Sequence, residues 1–427
     1  SSQMSAPNTL VDKLVVITGC DGVEGLGPFI ARATVKRGFR LLATCFSAEG
    51  RDNFLESVPD GSNSRVSAFV GDLTLPEVVD KLVGEVKSIV NDRKCTLHAL
   101  VNNAGVGPLG YTMWMPPKVY ETTMAINFLA PVRLTYALLP MLRCDQGRII
   151  NITSVAGLCA NFGMGPYSAS KFALEAYSDV LRRELMQWGV RVSVVEPYFT
   201  ATPLLKKAEA SFFEEMNRAQ GERTDDYGKK WAEEKMKREL QMIEATAGKP
   251  AGVVASVIDA LISKFPQERY WPDSITKLIV FPLMYLPVRL ADRLLLEVEL
   301  SKATPAFFKG HNSQKKIRSA LPTLFRTELH DVLVFICAIH FVLGQTVFQP
   351  TSTSILAVLA QCLLVLNALS GLAHNRIGRA ASGSFLSLGL LVLWSLQCMD
   401  GVGLAISVGI GITSAIEWKR REEVEIR

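Results

Sequence analysis

Tyr167 and Lys171 stand four residues apart in Gly165-Pro166-Tyr167-Ser168-Ala169-Ser170-Lys171, just beyond Asn151-Ile152-Thr153-Ser154. On a helix that spacing puts both side chains on one face, about one turn apart. A phenol and an ammonium group, both able to exchange protons, would then face the same space. Nearer the N-terminus the chain reads Thr18-Gly19-Cys20-Asp21-Gly22-Val23-Glu24-Gly25-Leu26-Gly27-Pro28, directly after an apolar run. Glycines between a first strand and a first helix let backbone N–H groups approach a pyrophosphate, which sits at the positive end of the helix. A Tyr/Lys pair alone is a weak signal, and it gains meaning only from the elements that hold it near such a loop.

Those elements are readable. Apolar, β-branched runs at 14–18, 40–45, 66–70, 99–102, 148–152, 190–195 and 269–271 predict strands. Each is too short to cross a bilayer and suits a strand buried on both faces. Helical patterns fit between them at 28–37, 76–90, 117–142 and 167–188. The alternation predicts the α/β class, a Rossmann-type doubly wound parallel sheet of about seven strands. The stretch 204–249, rich in Lys, Glu, Met and Phe, breaks the rhythm and predicts two helices, either a lid over a substrate site or a solvated surface pair.

The chain has 427 residues, more than one typical domain, and 48% of them are hydrophobic. The apolar excess lies beyond residue 330. Basic and acidic residues are interleaved and the net charge is only +5, so nothing points to nucleic acid. Eight cysteines without a C-x-x-C pair, and five histidines without ligand spacing, argue against a disulfide framework or a metal site and suit a reducing compartment. No signal-peptide pattern precedes the first strand. A basic, polar stretch over 301–330, with Lys302, Lys309, Lys315, Lys316, Arg318 and Arg326, predicts a linker. Four apolar segments follow at 332–348, 355–372, 384–399 and 402–418, with Arg376 and Arg379 in the second turn and Lys419, Arg420 and Arg421 in the tail. Positive charge on alternate sides predicts four crossings with both ends on the cytosolic face; two hairpins that enter without crossing are the alternative. The organisation is a tail at 1–10, an α/β domain at 11–300, the linker, and a membrane region of all-α character at 331–427. Endoplasmic reticulum and mitochondrial membranes both fit.

Thr18-Gly19 with Gly25 and Gly27, then Asn102-Asn103-Ala104-Gly105, then Ser154, then Tyr167-Ser168-Ala169-Ser170-Lys171, resembles the short-chain dehydrogenase/reductase family in its own order, over roughly residues 11–300. Within it, Thr18-Gly19-Cys20-Asp21, Val194-Val195-Glu196-Pro197 and the stretch from Arg269-Tyr270-Trp271 to Leu286-Pro287 resemble the retinol, 17β-hydroxysteroid and 3-hydroxybutyrate dehydrogenase branch. The resemblance implies that Tyr167 is the general acid/base and that Lys171 lowers its pKa from about 10 while holding the nicotinamide ribose. It implies that Ser154 donates to the substrate oxygen and that Asn127 relays protons to the lysine. Asp72 would accept from the adenine amino group. Thr18, Gly19, Asp21, Gly25, Gly27, Asn102, Asn103, Ala104, Gly105, Pro197 and Thr200 would line the cofactor site with Tyr167 and Lys171. Helices at 117–142 and 167–188 would form the face of a homodimer.

Three departures from the family pattern stand out. Two extra residues separate Gly19 from Gly25. The glycine usual after Pro197 is replaced in Pro197-Tyr198-Phe199-Thr200. The second strand ends in Cys45-Phe46-Ser47, without an acid for a ribose or a base for a 2′-phosphate, although Arg51 is near. NAD is favoured, and NADP stays open. The leading reading is a membrane-anchored NAD(P)-dependent oxidoreductase that interconverts a secondary alcohol and a ketone, or a primary alcohol and an aldehyde, on a lipophilic molecule such as a steroid or retinoid. The alternatives are a dehydrogenase of small hydroxy acids such as 3-hydroxybutyrate and a non-catalytic dinucleotide-binding membrane scaffold or sensor. A transporter ranks last, because the apolar segments carry few ionisable residues.

Overall fold

A computed structural model describes residues 10–286 except 60 and 220–227, together with 288, 291, 292 and 295. The linker and the four apolar segments, and with them the membrane reading, lie outside the described residues.

Seven strands form one parallel sheet: β1 (Lys13–Thr18), β2 (Arg40–Cys45), β3 (Val66–Val70), β4 (Thr96–Asn102), β5 (Arg148–Ile152), β6 (Arg191–Val195) and β7 (Arg269–Tyr270). Their order is β3-β2-β1-β4-β5-β6-β7. The chain winds outward from β1 to β3, then returns to lay β4 against β1, opening a crevice at the carboxyl ends of β1 and β4. Alternate residues of each strand enter opposite cores. Val15, Ile17, Leu41, Ala43, Val101 and Ile150 pack on one face. Leu14, Val16, Leu42, Leu100 and Ile149 pack on the other. Burial on both faces explains the near-continuous apolar runs.

Nine helices of eight or more residues are described: α1 (Leu26–Lys36), α2 (Ala48–Glu56), α3 (Pro76–Arg93), α4 (Pro117–Met124), α5 (Ala130–Cys144), α6 (Gly165–Leu185), α7 (Pro203–Ala219), α8 (Lys229–Thr246) and α9 (Pro250–Ile262). The sequence pattern misses α2 because only Gly50 and Phe54 are buried along it; Ser47 starts it by accepting from Gly50 N–H at 2.9 Å. It also misses α9. That helix stops where β4 and β5 satisfy its last carbonyls: the Arg148 guanidinium donates to Ala260 O and Ser263 O, and His98 Nε2 bonds Leu261 O at 3.0 Å. The single helix read at 117–142 is α4 and α5 joined by one π-helical turn, Ala125–Leu129.

Among the described residues, Pro117–Cys144 is the one helix long and apolar enough to cross a membrane. Its apolar stripe is used otherwise. Leu134, Leu138 and Leu142 are at most 1% exposed and belong to the core beneath β4 and β5. Leu138→Ala should therefore lower the unfolding free energy by about 2–5 kcal/mol, measured by denaturant titration. A change well below that range would place this face outside the core.

Candidate active site

The crevice is sealed at its base by contacts between the turns that leave β1 and β4. Thr18 Oγ1 accepts from the N–H groups of Asn103 and Ala104, each at 2.9 Å, and Asn103 Nδ2 donates to Thr18 O at 2.8 Å and Gly19 O at 3.2 Å. Gly19 has φ of +72°, and a β-carbon there would lie 2.8 Å from Ala104 Cα. A β-carbon on Gly27 would lie 2.0 Å from Gly19 O. Only glycine lets the helix start this close to the strand end. Helix α1 begins at Leu26, so the amides of Leu26 and Gly27 have no intrahelical acceptor.

The two additional residues of the glycine turn do not fill the crevice. Val23 and Glu24 are exposed, Gly22 N–H donates to Gly50 O at 2.8 Å, and Arg32 donates to Val23 O at 3.0 Å. Asp21 beneath them accepts from Phe46 N–H at 2.9 Å and Ser47 N–H at 3.1 Å, so its carboxylate lies at the carboxyl end of β2. Asp72 Oδ1 accepts from the backbone and hydroxyl of Thr74 at 2.9 and 2.7 Å, which fixes the turn after β3. Asn102 points into the sheet, donating to Asn151 Oδ1 at 2.8 Å. Its side chain braces β4 against β5, and the crevice is lined by the residues after it.

The carboxyl ends of β5 and β6 bring the acid–base groups together. Ser154 follows β5, and its hydroxyl accepts from Ala156 N–H at 3.1 Å and lies 3.4 Å from Pro197 O. Tyr167 and Lys171 lie on one face of α6, with Lys171 Nζ 5.7 Å from the centroid of the Tyr167 ring. The ammonium donates to Ile152 O at 2.8 Å and the residue is only 4% exposed. Asn127 sits in the π-helical turn, a departure that pushes one side chain out of helical register. Its amide donates to Val106 O at 2.8 Å and Ser170 Oγ at 2.9 Å, and its Oδ1 accepts from Val106 N–H at 2.9 Å. Gly105 is hemmed by Asn127, and Gly107 lies against both the Tyr167 ring and Leu204 of α7.

Burial dominates the proton affinities. It pushes the Tyr167 phenol above its ordinary value, and the hydrogen bond with Ser154 pulls it partly back. Desolvation brings Lys171 down to about 8, against the opposing pull of Glu175. Burial thus moves the two groups apart, the phenol up and the ammonium down, so both are driven toward their neutral forms.

Asp273, not singled out in the sequence, fixes the segment after β6. Tyr198 takes the place of the usual glycine in an ordinary backbone conformation, because Asp273 accepts from Tyr198 N–H at 3.0 Å and from Thr276 N–H at 2.7 Å. Thr200 Oγ1 donates to Tyr198 O at 3.1 Å, and the segment pairs with Gly248. Helices α7 and α8 occupy the stretch 204–249. They are held by an aromatic cluster in which Trp114 meets Phe212 at 5.6 Å between ring centroids and Tyr111 meets Trp231 at 5.3 Å. A hollow of about 340 Å³ between these helices is lined by Phe213, Met236 and Leu240 among others and shares no residue with the acid–base group.

The family model described as short chain dehydrogenase matches residues 13–211. Retinol dehydrogenase 5 of Mus musculus is 35% identical over 288 residues, covering 66% of this chain and 88% of that protein. The 17-beta-hydroxysteroid dehydrogenase type 6 of Bos taurus is 35% identical over 292 residues, covering 67% and 88%. A short-chain dehydrogenase/reductase structure from Burkholderia phymatum in complex with NAD has the same fold, with a TM-score of 0.54 at 19% identity, covering 66% of this chain and 95% of that one. The chain belongs to the short-chain dehydrogenase/reductase family. It is an NAD(P)-dependent oxidoreductase of the alcohol dehydrogenase type, related to retinol and hydroxysteroid dehydrogenases.

Three outcomes follow from this geometry and from the burial of Lys171. Gly27→Ala drives a β-carbon into Gly19 O and should abolish dinucleotide binding by calorimetric titration. Gly22→Ala meets open space at a φ of +78° and should cost only about 1–2 kcal/mol of stability with binding kept. For Lys171, whose folded pKa of about 8 lies below the unfolded value, the unfolded chain binds more protons between the two. Wild type should therefore gain stability relative to Lys171→Met as pH rises from about 8 toward the unfolded lysine value, by up to about 3 kcal/mol. A pH-independent difference between the two would contradict a buried, desolvated ammonium.

Proposed function

We propose that the protein interconverts a secondary alcohol and a ketone, or a primary alcohol and an aldehyde, on a lipophilic substrate of steroid or retinoid type. The observation that carries this reading is the convergence of Asn127, Ser154, Tyr167 and Lys171 at the carboxyl ends of β5 and β6, with Gly107 against the Tyr167 ring.

In oxidation Tyr167 takes the proton of the substrate hydroxyl, and in reduction it returns one to the carbonyl oxygen. Ser154 holds that oxygen and steadies the charge that develops on it. Lys171, charged at neutral pH, favours the phenolate and reaches the ribose side of the crevice. Asn127 fixes the turn at Val106 and connects Ser170 to it. Bound NAD(P) supplies the hydride acceptor or donor at its nicotinamide. The glycine turn, the first amides of α1 and the segment 103–105 hold the dinucleotide, with Asp72 on its adenine side and Pro197 and Thr200 beside its nicotinamide side.

NAD is the preferred form. The carboxylate of Asp21, lodged at the end of β2, supplies there the negative charge that the strand itself lacks, and it opposes a 2′-phosphate. Apolar and aromatic residues on α7, α8 and the turn after β4 give a substrate-side cover suited to a lipophilic molecule. The relatives named for retinol and a hydroxysteroid support the same class. We assign residues 331–427 to a multi-span membrane anchor that keeps the catalytic domain on the cytosolic side, and the outer faces of α5 and α6, with Tyr136, Phe172 and Val180 exposed, to a homodimer contact.

The test is turnover by the full chain with retinoid, steroid and small hydroxy-acid alcohols, with each cofactor. Lipophilic alcohols with NAD should give the highest kcat/KM, and Tyr167→Phe should lower kcat by about 10²–10⁴-fold while cofactor affinity stays. Equal rates in variant and wild type would overturn the mechanism. Cofactor binding without turnover of any alcohol would favour a non-catalytic sensor.

A further inference from the structure

Behind Lys171 lies a set of charges that the proton-transfer groups do not account for. Glu175 is one helical turn beyond the lysine on the same face of α6 and is 6% exposed. Its Oε2 accepts from Arg269 Nη1 of β7 at 2.6 Å. Arg269 also binds Glu196, fully buried at the end of β6, and donates through Nη2 to Asp179 of α6 at 3.1 Å. The Trp271 indole donates to the other oxygen of Glu196. On the β5 side the neighbour is Thr153, whose hydroxyl hydrogen goes to Val195 O at 3.2 Å. Glu175 Oε1 is buried and accepts no hydrogen bond among the described residues. A buried carboxylate oxygen without a donor is costly unless a positive charge lies close by. The Arg269 guanidinium is shared among three carboxylates; Arg182 and Arg183 also pair with Asp179, each at 3.4 Å, and Lys171 is the cation one turn from Glu175.

Resting on the acid–base reading above, we propose that Glu175 is a positioning residue that fixes which member of the Tyr167/Lys171 pair holds the proton, by keeping the lysine charged in a site that excludes water. When the pair loses its first proton, the Glu175 charge favours the form with ammonium and phenolate over the form with neutral amine and phenol. Only the first can accept a proton from an alcohol. Glu175 touches neither substrate nor cofactor and acts through the lysine alone. Burial pushes the Glu175 carboxyl up, and Arg269 opposes this by favouring its ionised form and binds it to β6 and β7, whose next residues carry Pro197 and Asp273. The pull of Glu175 on the lysine, opposing its desolvation, agrees with this role. Glu196, pushed up to about 7 by burial and by Glu175, is the other group of the cluster that titrates near neutrality.

The test follows the phenolate of Tyr167 in the cofactor-free full chain, as the absorbance difference between each protein and its Tyr167→Phe counterpart during a pH titration. Glu175→Gln should move the midpoint up by about one pH unit, and the pH profile of alcohol oxidation should move with it. Glu175→Asp, which keeps the charge but withdraws it by one methylene, should lie between, and it carries the test alone if Glu175→Gln does not accumulate folded. An unchanged phenolate midpoint in the folded variant, with any loss of rate uniform across pH, would overturn the proposal and leave Glu175 a structural residue. A displaced midpoint without turnover of any alcohol by wild type would uphold it while removing the dehydrogenase reading.

Discussion

A buried ammonium is the constraint on which this structure is organised. Lys171 lies almost wholly inside the protein with its charge directed at the Ile152 carbonyl and its stem beside the Tyr167 ring. Desolvating a lysine opposes folding near neutral pH, so the surrounding elements have to hold it in place. The end of β5 supplies the carbonyl, α6 supplies the phenol and Glu175, and β7 supplies the counter-charge, Arg269, which Glu175 shares with Glu196 at the end of β6. The sheet order puts β5, β6 and β7 side by side.

The same logic separates binding from chemistry along the crevice. At the β1 and β4 end the important groups are backbone amides and glycines, packed so closely that a β-carbon at Gly19 or Gly27 has no room. At the β5 and β6 end they are side chains whose proton affinities are set by burial. The π-helical turn at Asn127 joins the two halves, since one amide side chain holds the turn after β4 and the α6 hydroxyl of Ser170 together.

Much of this was legible in the sequence, and the reasons are physical. Strands buried on both faces leave continuous apolar runs, so β2, β3 and β5 are found at their observed limits, while β1 starts one residue earlier, at Lys13, and β4 three residues earlier because Thr96, Leu97 and His98 read less like a strand. Tyr167, Lys171, Ser154 and Asn127 could be named because their types and order carry the signal. Helix α2 was not legible, being a mostly solvent-facing turn with one large buried residue, Phe54. The Glu175, Glu196, Arg269 and Asp273 partners were hidden for another reason: they are common charged residues distant in sequence, brought together only by the neighbouring of β6, β7 and α6. Asp21 read as a cofactor residue by its position in the glycine run, and its carboxylate proves to be held by the backbone after β2. The extra residues Val23 and Glu24, which in sequence threatened the phosphate turn, are directed to solvent.

The most direct measurement is the pH dependence of alcohol-driven NAD(P) reduction by the full chain and its Lys171→Met variant. If the lysine charge makes the tyrosine a base, the variant loses its rate near neutral pH and recovers part of it only at strongly alkaline pH, where the phenol ionises unaided. A variant that oxidises alcohols at the wild-type rate near neutral pH would contradict the account.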